Sequence, residues 1–443
     1  MDSLDTLRSG QLRGARRLDL SCDLKVFPQE IFELAETLEI LNLTNNQLTA
    51  LPDDFGRLRR LKVVFLSRNR FDHLPEVLSQ CPHLSMVGFK ANQIETVSDR
   101  ALPSALRWLI LTDNCIEQMP QTLGTLKHLQ KLMLAGNRLS SLPNLSGCQQ
   151  LELIRLSANR LSALPNWLFQ LPRLAWLAYA GNPCCSAYPR TQPLPDISWN
   201  KLTIGEVLGA GASGTILKAK WHQPRAVLSV AVKLFKGQVT SDGLPIDEMQ
   251  ACMAAGSHPH LITAIGRITH HPKSKDGLVL PLVAGYSNLG EPPSLETCTR
   301  DTYPPDVRFT VSQAVRIATD IAAAAGYLHN LGLIHGDLYA HNILVNGKGH
   351  SLLGDFGAAS CYQSVGDEIA KNLERLEVRA FGCLLEELLI HCHDVLPQDS
   401  ETVACLVDLE QRCLAVDPEQ RPLFKAIHDR LTNISVDHAS VPT

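Results

Sequence analysis

No stretch of the 443 residues reaches the roughly eighteen consecutive apolar residues that a membrane-spanning helix needs. The opening residues, MDSLDTLRSGQLRGARR, hold no apolar core of the kind a secretory signal requires. Both absences lead to the expectation of a cytoplasmic protein with no membrane partner. A charge excess is missing too. With a formal net charge of −4 and a pI near 6.5, nucleic acid is not expected as a partner, and a basic run such as RLRRLK reads as solvated surface. Cysteine is plentiful, thirteen in all, but no paired zinc spacing occurs, and the adjacent Cys184 and Cys185 make a poor metal or disulfide pair. Free thiols in a reducing compartment are the natural reading. What is present is an ordinary balance of 45% apolar and 19% charged residues over a length that calls for two or three folding units.

The first half repeats. Segments such as LEILNLTNNQLTALP, LKVVFLSRNRFDHLP and LELIRLSANRLSALP place asparagines at Asn46, Asn69, Asn92, Asn114, Asn137, Asn159 and Asn182, spaced by 22 or 23 residues throughout. The pattern L-x-x-L-x-L-x-x-N-x-L at that period is the leucine-rich repeat signature. Each repeat supplies a short strand whose leucines enter a shared core that no single repeat closes alone. The asparagines sit where the chain turns away from the strand, so their amides are expected to satisfy backbone groups of neighbouring coils, a structural role. RRLDLSCDLKVFP reads as a degenerate capping coil. The positions beside the inward leucines form two columns, one of which runs Ile40, Val63, Met86, Trp108, Lys131, Leu153, Trp176. The other runs Asn42, Phe65, Gly88, Ile110, Met133, Arg155, Ala178. An apolar stripe of Val63, Phe65, Met86, Trp108, Ile110, Met133 and Trp176 is therefore expected on the concave face as the seat of a protein partner or substrate, or as a docking face for the protein's own second domain that would regulate it.

The period stops at NPCCSAYPRTQPLPDISWN, whose Pro183, Pro189, Pro193 and Pro195 suit a semi-extended connector. This divides the chain into repeats over 1–183, a proline-rich linker over 184–196, a second domain over 197–435 and a tail over 436–443. The second domain opens with Gly209, Gly211 and Gly214 in G-x-G-x-x-G. No helix pattern follows, as a dinucleotide fold would require; TILKAKW reads as a strand, so the glycines sit in a hairpin whose backbone N–H groups approach phosphate oxygens. Next, SVAVKLF carries one charge, Lys233, suited to neutralising nucleotide phosphates.

These residues and those downstream resemble the protein kinase family over about 197–435. Leu208–Ile216 (LGAGASGTI), Ala231 and Lys233 of VAVK, Glu248 fifteen residues on, HGDLYAHN from His335, GDFG at Gly354–Gly357 and CLAVDPEQRP from Cys413 follow the family's order. The expected architecture is an α/β leucine-rich repeat solenoid followed by an α+β two-lobed protein-kinase-like domain. The resemblance implies ATP and Mg²⁺. It assigns Leu208, Gly209, Ala210, Gly211, Ala212, Ser213, Gly214, Thr215, Ile216, Ala231, Lys233 and Glu248 to nucleotide binding. Asp337 with Lys233 is implied for catalysis, and Asn342 with Asp355 for metal binding.

Three departures stand out. Gly336 replaces the arginine that grips a phosphorylated activation loop, so activation by phosphate has no obvious receptor. Tyr339 and His341 match neither the serine/threonine nor the tyrosine pattern of the catalytic loop. The stretch from Asp355 to EVRAFG, where a central helix is expected to start at Glu377, is only 22 residues and lacks an Ala-Pro-Glu motif. His-Gly-Asp also occurs in small-molecule kinases resembling those acting on aminoglycosides or choline. The expectation is a protein kinase, most simply of serine/threonine type, with a small-molecule phosphotransferase or a nonenzymatic repeat scaffold as alternatives. The whole arrangement is similar to bacterial leucine-rich repeat protein kinases.

Overall fold

The computed structural model describes residues 3–188, 194–211, 214–236, 239–363, 366–393 and 396–439, with side chains described as far as residue 434. Contacts divide the chain into two units, Met1–Leu174 with Asn182–Cys184, and Ala175–Gly181 with Cys185–Thr443. The strand of the seventh repeat thus groups with the second unit, ahead of the proline-rich connector.

In the first unit a short helix α1 (Leu4–Arg8) begins at a Ser3/Thr6 capping box. Strands β1 (Arg17–Asp19), β2 (Ile40–Asn42), β3 (Val63–Phe65), β4 (Met86–Gly88), β5 (Trp108–Ile110), β6 (Lys131–Met133) and β7 (Leu153–Arg155) pair in parallel, each with the next. Their central residues, from Leu18 through Leu41, Val64, Val87, Leu109 and Leu132 to Ile154, are buried in one core. The segment expected only to cap the array supplies β1, in register with β2.

The asparagines do what their spacing implies. Asn46 donates from Nδ2 to the carbonyls of Leu20 and Leu43 at 2.8 and 2.9 Å, while its Oδ1 accepts from the Cys22 and Leu24 amides. Asn69, Asn114, Asn137 and Asn159 repeat the arrangement between adjacent coils. A buried backbone group without a partner is costly, so each amide stabilises two turns at once.

The two columns are in the expected register, Ile40 through Leu153 and Asn42 through Arg155. They do not form an exposed stripe. Val63, Met86 and Met133 are buried, and Phe65, Trp108 and Ile110 half-buried. Parallel strands bring adjacent side chains within packing distance, and Phe65 and Ile110 close over Gly88, where an added Cβ would meet Phe65 Cδ1 at 2.6 Å and Ile110 Cδ1 at 3.7 Å. The Lys131 ammonium lies 4.3 Å from the Trp108 ring centre. Trp176, the last residue of the expected stripe, is 2% exposed and packs inside the second unit, which removes it as a partner anchor.

The second unit begins with β8 (Trp176–Ala178). Strands β9 (Asp196–Ser198), β10 (Leu202–Ala210), β11 (Gly214–His222) and β12 (Val227–Phe235) precede helix α2 (Pro245–Ala255), and β13 (Gly266–Thr269) and β14 (Gly277–Pro281) follow it. They form one sheet in the order β10-β11-β12-β14-β13-β9 around Ile197, Val230, Val232, Ile268 and Val279. The helical part follows β15 (Tyr286–Asn288). It comprises α3 (Val311–Asn330), the short strands β16 (Leu333–Ile334), β17 (Ile343–Asn346), β18 (Ser351–Leu353) and β19 (Ser360–Cys361), and helices α4 (Asp367–Ile390), α5 (Ser400–Cys413) and α6 (Phe424–Ala439). The central helix α4 therefore starts ten residues before Glu377, which lies mid-helix. The N-cap Gly366 and the acidic first turn of Asp367 and Glu368 suit a helix start there. Sheet lobe and helical lobe together make the two-lobed architecture.

Candidate active site

Lys233 sits on β12, with alternate residues Val230, Val232 and Leu234 turned into the sheet core. It is buried, and its Nζ lies 2.6 Å from Glu248 Oε1 on α2 and 2.9 Å from Asp355 Oδ1. Burial works against the ammonium, but Asp355 and Glu248 outweigh it and raise the Lys233 pKa. Burial also opposes the Asp355 carboxylate, yet Lys233 holds it below its ordinary value. Burial pushes Glu248 up to about 7. Lys233 thus favours the charged form of Asp355, while Glu248 is the carboxyl of the pair that burial brings toward the neutral form.

The strands read in NILV and LLGDF are β17 and β18, paired antiparallel through Ile343 and Leu353. They fix the loop from His335 to Asn342 against the turn at Asp355. Asn342 donates from Nδ2 to both the backbone carbonyl and Oδ2 of Asp337, at 2.9 Å each. His335 accepts the Asp337 amide on Nδ1 and donates from Nε2 to the Gly354 carbonyl at 2.9 Å. The Gly354 amide returns to the Asn342 carbonyl. Asp337, Asn342 and Gly354, the residue before Asp355, are thus cross-linked by hydrogen bonds.

A cleft of about 440 Å³ brings together Leu208, Gly209, Ile216, Ala231, Lys233, Glu248, Asn342 and Asp355. Asp337 is tied to that lining through Asn342. Ala210, Gly211, Gly214 and Thr215 lie on the β10–β11 hairpin outside the lining, and Ala212 and Ser213 fall outside the described residues. A Cβ on Gly209 or Gly211 would meet nothing within 4 Å, so packing does not require glycine there, whereas one on Gly214 would meet the Leu234 carbonyl at 2.6 Å. Sequence reasoning missed the apolar walls, Ile262, Leu278, Leu280, Val283 and Leu344, and also His341. Leu278, Leu280 and Leu344 come from strands and Ile262 and Val283 from connecting segments, all ordinary aliphatic positions with no motif to mark them. His341 donates from Nδ1 to the buried Asp301 at 2.8 Å, and its amide donates to the other Asp301 oxygen at 2.9 Å.

The donor set suits a magnesium nucleotide. Magnesium takes one or two protein oxygens and completes its shell with water and phosphate. Asn342 and Asp355 offer an amide and a carboxylate in one cleft, and Asp355 is held below its ordinary pKa, which suits a divalent cation.

Residues 202–382 match the family described as Protein tyrosine and serine/threonine kinase. Leucine-rich repeats precede a protein kinase domain in this chain. The repeat family matches residues 13–71, 36–94 and 127–183. Over 202 residues, 41% of this chain and 24% of the relative, the kinase region is 30% identical to the Fibroblast growth factor receptor 1 of Xenopus laevis. Over 284 residues, 54% of this chain and 32% of each relative, it is 26% identical to the Tyrosine-protein kinase receptor TYRO3 of Mus musculus and of Rattus norvegicus. The chain thus spans about a quarter to a third of the length of these receptors. Kinase domains in general use ATP and Mg²⁺. Among the described residues, no helix is long and apolar enough to cross a membrane.

Proposed function

We propose that this chain is an ATP-dependent protein kinase that transfers the γ-phosphate of ATP to a protein hydroxyl, with serine or threonine as acceptor. The observation that carries the reading is Lys233 held between Glu248 and Asp355 in a cleft whose edge bears the hydrogen-bonded pair Asp337 and Asn342. In this reading the acceptor oxygen bonds to the γ-phosphorus, the bond to the β–γ bridging oxygen breaks, ADP leaves, and Asp337 takes the hydroxyl proton. Lys233 holds the phosphates, and the glycines of the β10–β11 hairpin let backbone amides approach them. Asn342 and Asp355 would hold magnesium, which supplies charge neutralisation at the transferring phosphoryl group.

Tyrosine is the second reading for the acceptor, favoured by the printed names of the relatives. A small-molecule acceptor draws no support from the family match, and a bacterial affiliation draws none from these vertebrate relatives. The repeats are assigned the recruitment of a protein partner or substrate, where tethering raises local concentration around a short peptide platform. Thirteen free cysteines support a cytoplasmic setting. The test is phosphopeptide mapping and phosphoamino-acid analysis after incubating the purified full chain with Mg-ATP. Phosphoserine or phosphothreonine supports the primary reading and phosphotyrosine the second. Nucleotide binding without transfer to any protein would overturn both.

A further inference from the structure

The strand of the seventh repeat, β8, lies within the second unit and touches the loop that carries Asp337. Trp176 donates from its indole Nε1 to the Leu338 carbonyl at 3.0 Å. Its ring lies flat on Tyr339, with centroids 4.2 Å apart and planes inclined by 6°. The next residue, Leu177, approaches the same loop at Gly336. Gly336 has φ of +74°, and a Cβ there would meet the Leu177 carbonyl at 2.5 Å and the Ala358 carbonyl at 2.7 Å. Tyr179 then donates its amide to Ser360 Oγ at 3.1 Å, in the stretch that follows the Asp355–Gly357 turn. Residues 176–179, β8 and the residue after it, thus bond or stack on positions 338, 339 and 360 and crowd position 336.

We propose that Trp176 is a positioning residue for phosphoryl transfer. In this assignment β8 holds the Asp337 loop and the following segment in working geometry, in the place where an arginine at position 336 would meet a loop phosphate. The inference rests on the kinase reading. Gly336 is explained by it, because the left-handed backbone and the Leu177 carbonyl leave no room for a side chain. Tyr339 is explained too, because a flat aromatic face at that position receives the Trp176 indole, where a charged chain would lose the stack. The nucleotide-binding residues lie elsewhere in the cleft, so the effect falls on turnover and not on ATP affinity.

The test uses the full chain, its Trp176→Ala variant and its Trp176→Phe variant, with steady-state kinetics in Mg-ATP and hydrogen exchange of the segment from Leu333 to Asn342. The alanine variant is expected to lose about tenfold or more in kcat with KM for ATP changed less than about twofold, and to exchange faster in that segment alone. The phenylalanine variant keeps a stacking ring without the donor, so its kcat is expected between the two. Unchanged kcat and exchange in both variants would overturn the proposal, as would an exchange increase spread evenly over the domain, which marks plain packing. If the alanine variant does not fold, the phenylalanine variant decides. If the parent chain transfers no phosphate, the kinase reading fails, and local exchange alone decides the positioning role.

Discussion

Glu377 accepts the Gly336 amide on one carboxylate oxygen at 2.7 Å. Its other oxygen takes the His335 amide at 3.2 Å and His329 Nε2 at 2.9 Å. One buried side chain on α4 thus fixes the backbone immediately ahead of Asp337. His329 is itself held through Nδ1 to the Tyr362 hydroxyl at 2.6 Å. Burial works against the Glu377 charge, but the His329 bond and charge hold its carboxyl below the ordinary value.

Removing that acceptor strands buried amides. Glu377→Ala is expected to destabilise the kinase domain by about 2–4 kcal/mol, since each unsatisfied buried donor costs roughly 1–3 kcal/mol. Denaturant unfolding of the full chain measures it. A loss below about 0.5 kcal/mol would contradict the role given to this carboxylate.

Asp337→Asn retains an oxygen able to accept from Asn342 Nδ2, so fold and nucleotide binding are expected to persist while turnover falls by about three orders of magnitude. Lys233→Met should reduce turnover comparably and leave the buried Glu248 without its cation. A Mg-ATP assay with a thermal melt of each variant checks both. Near-parental turnover in Asp337→Asn would remove the loop from the reaction.

Among the described residues after the Asp355–Gly357 turn, little is left to order. Ser360–Cys361 already pairs with Leu333–Ile334, α4 begins at Asp367, and Gly336 offers no side chain to a phosphate. Exhaustive phosphatase treatment is therefore expected to leave the rate unchanged. Loss of most activity, recovered after autophosphorylation, would show a phosphate receptor elsewhere.

His341 carries the pH dependence beside the cleft. Burial lowers its pKa, but the bond and charge of Asp301 outweigh that and raise it above 6.5. A raised folded-state pKa contributes stability that is fully present below the unfolded value and is lost as pH rises through the folded one. Parent and His341→Asn should therefore differ more in Tm at pH 5.5 than at pH 8.5. A difference that is equal at both, or larger at pH 8.5, would show that the charged pair does not form.

The asparagine ladder, the strand register and the order of nucleotide-loop, lysine, loop-acid and metal-turn motifs were legible in the amino-acid sequence. The ladder and the register rest on a short, repeated spacing, and Asn46 reaches only as far as residues one coil away, while the motifs occur once each and are carried by their order along the chain. The start of α4 was less legible, because EVRAFG continues a helical pattern that begins earlier, at a glycine cap with no strong side-chain signal. The cleft walls carried no signal, being single aliphatic residues on strands and connecting segments that no motif sets apart.

What the sequence determined by itself is therefore the repeat architecture, the two-part organisation and the charged and amide groups of the cleft, Lys233, Glu248, Asn342 and Asp355. Only tertiary structure decided what Trp176 does. It occupies the repeat position that Trp108 also fills, yet Trp108 is half-buried under Lys131, while Trp176 meets Leu338 across 162 residues of chain and stacks on Tyr339. A local pattern states which way a side chain leaves its strand. It does not state which distant segment the returning chain brings against it, and that contact is set by the packing of the whole unit.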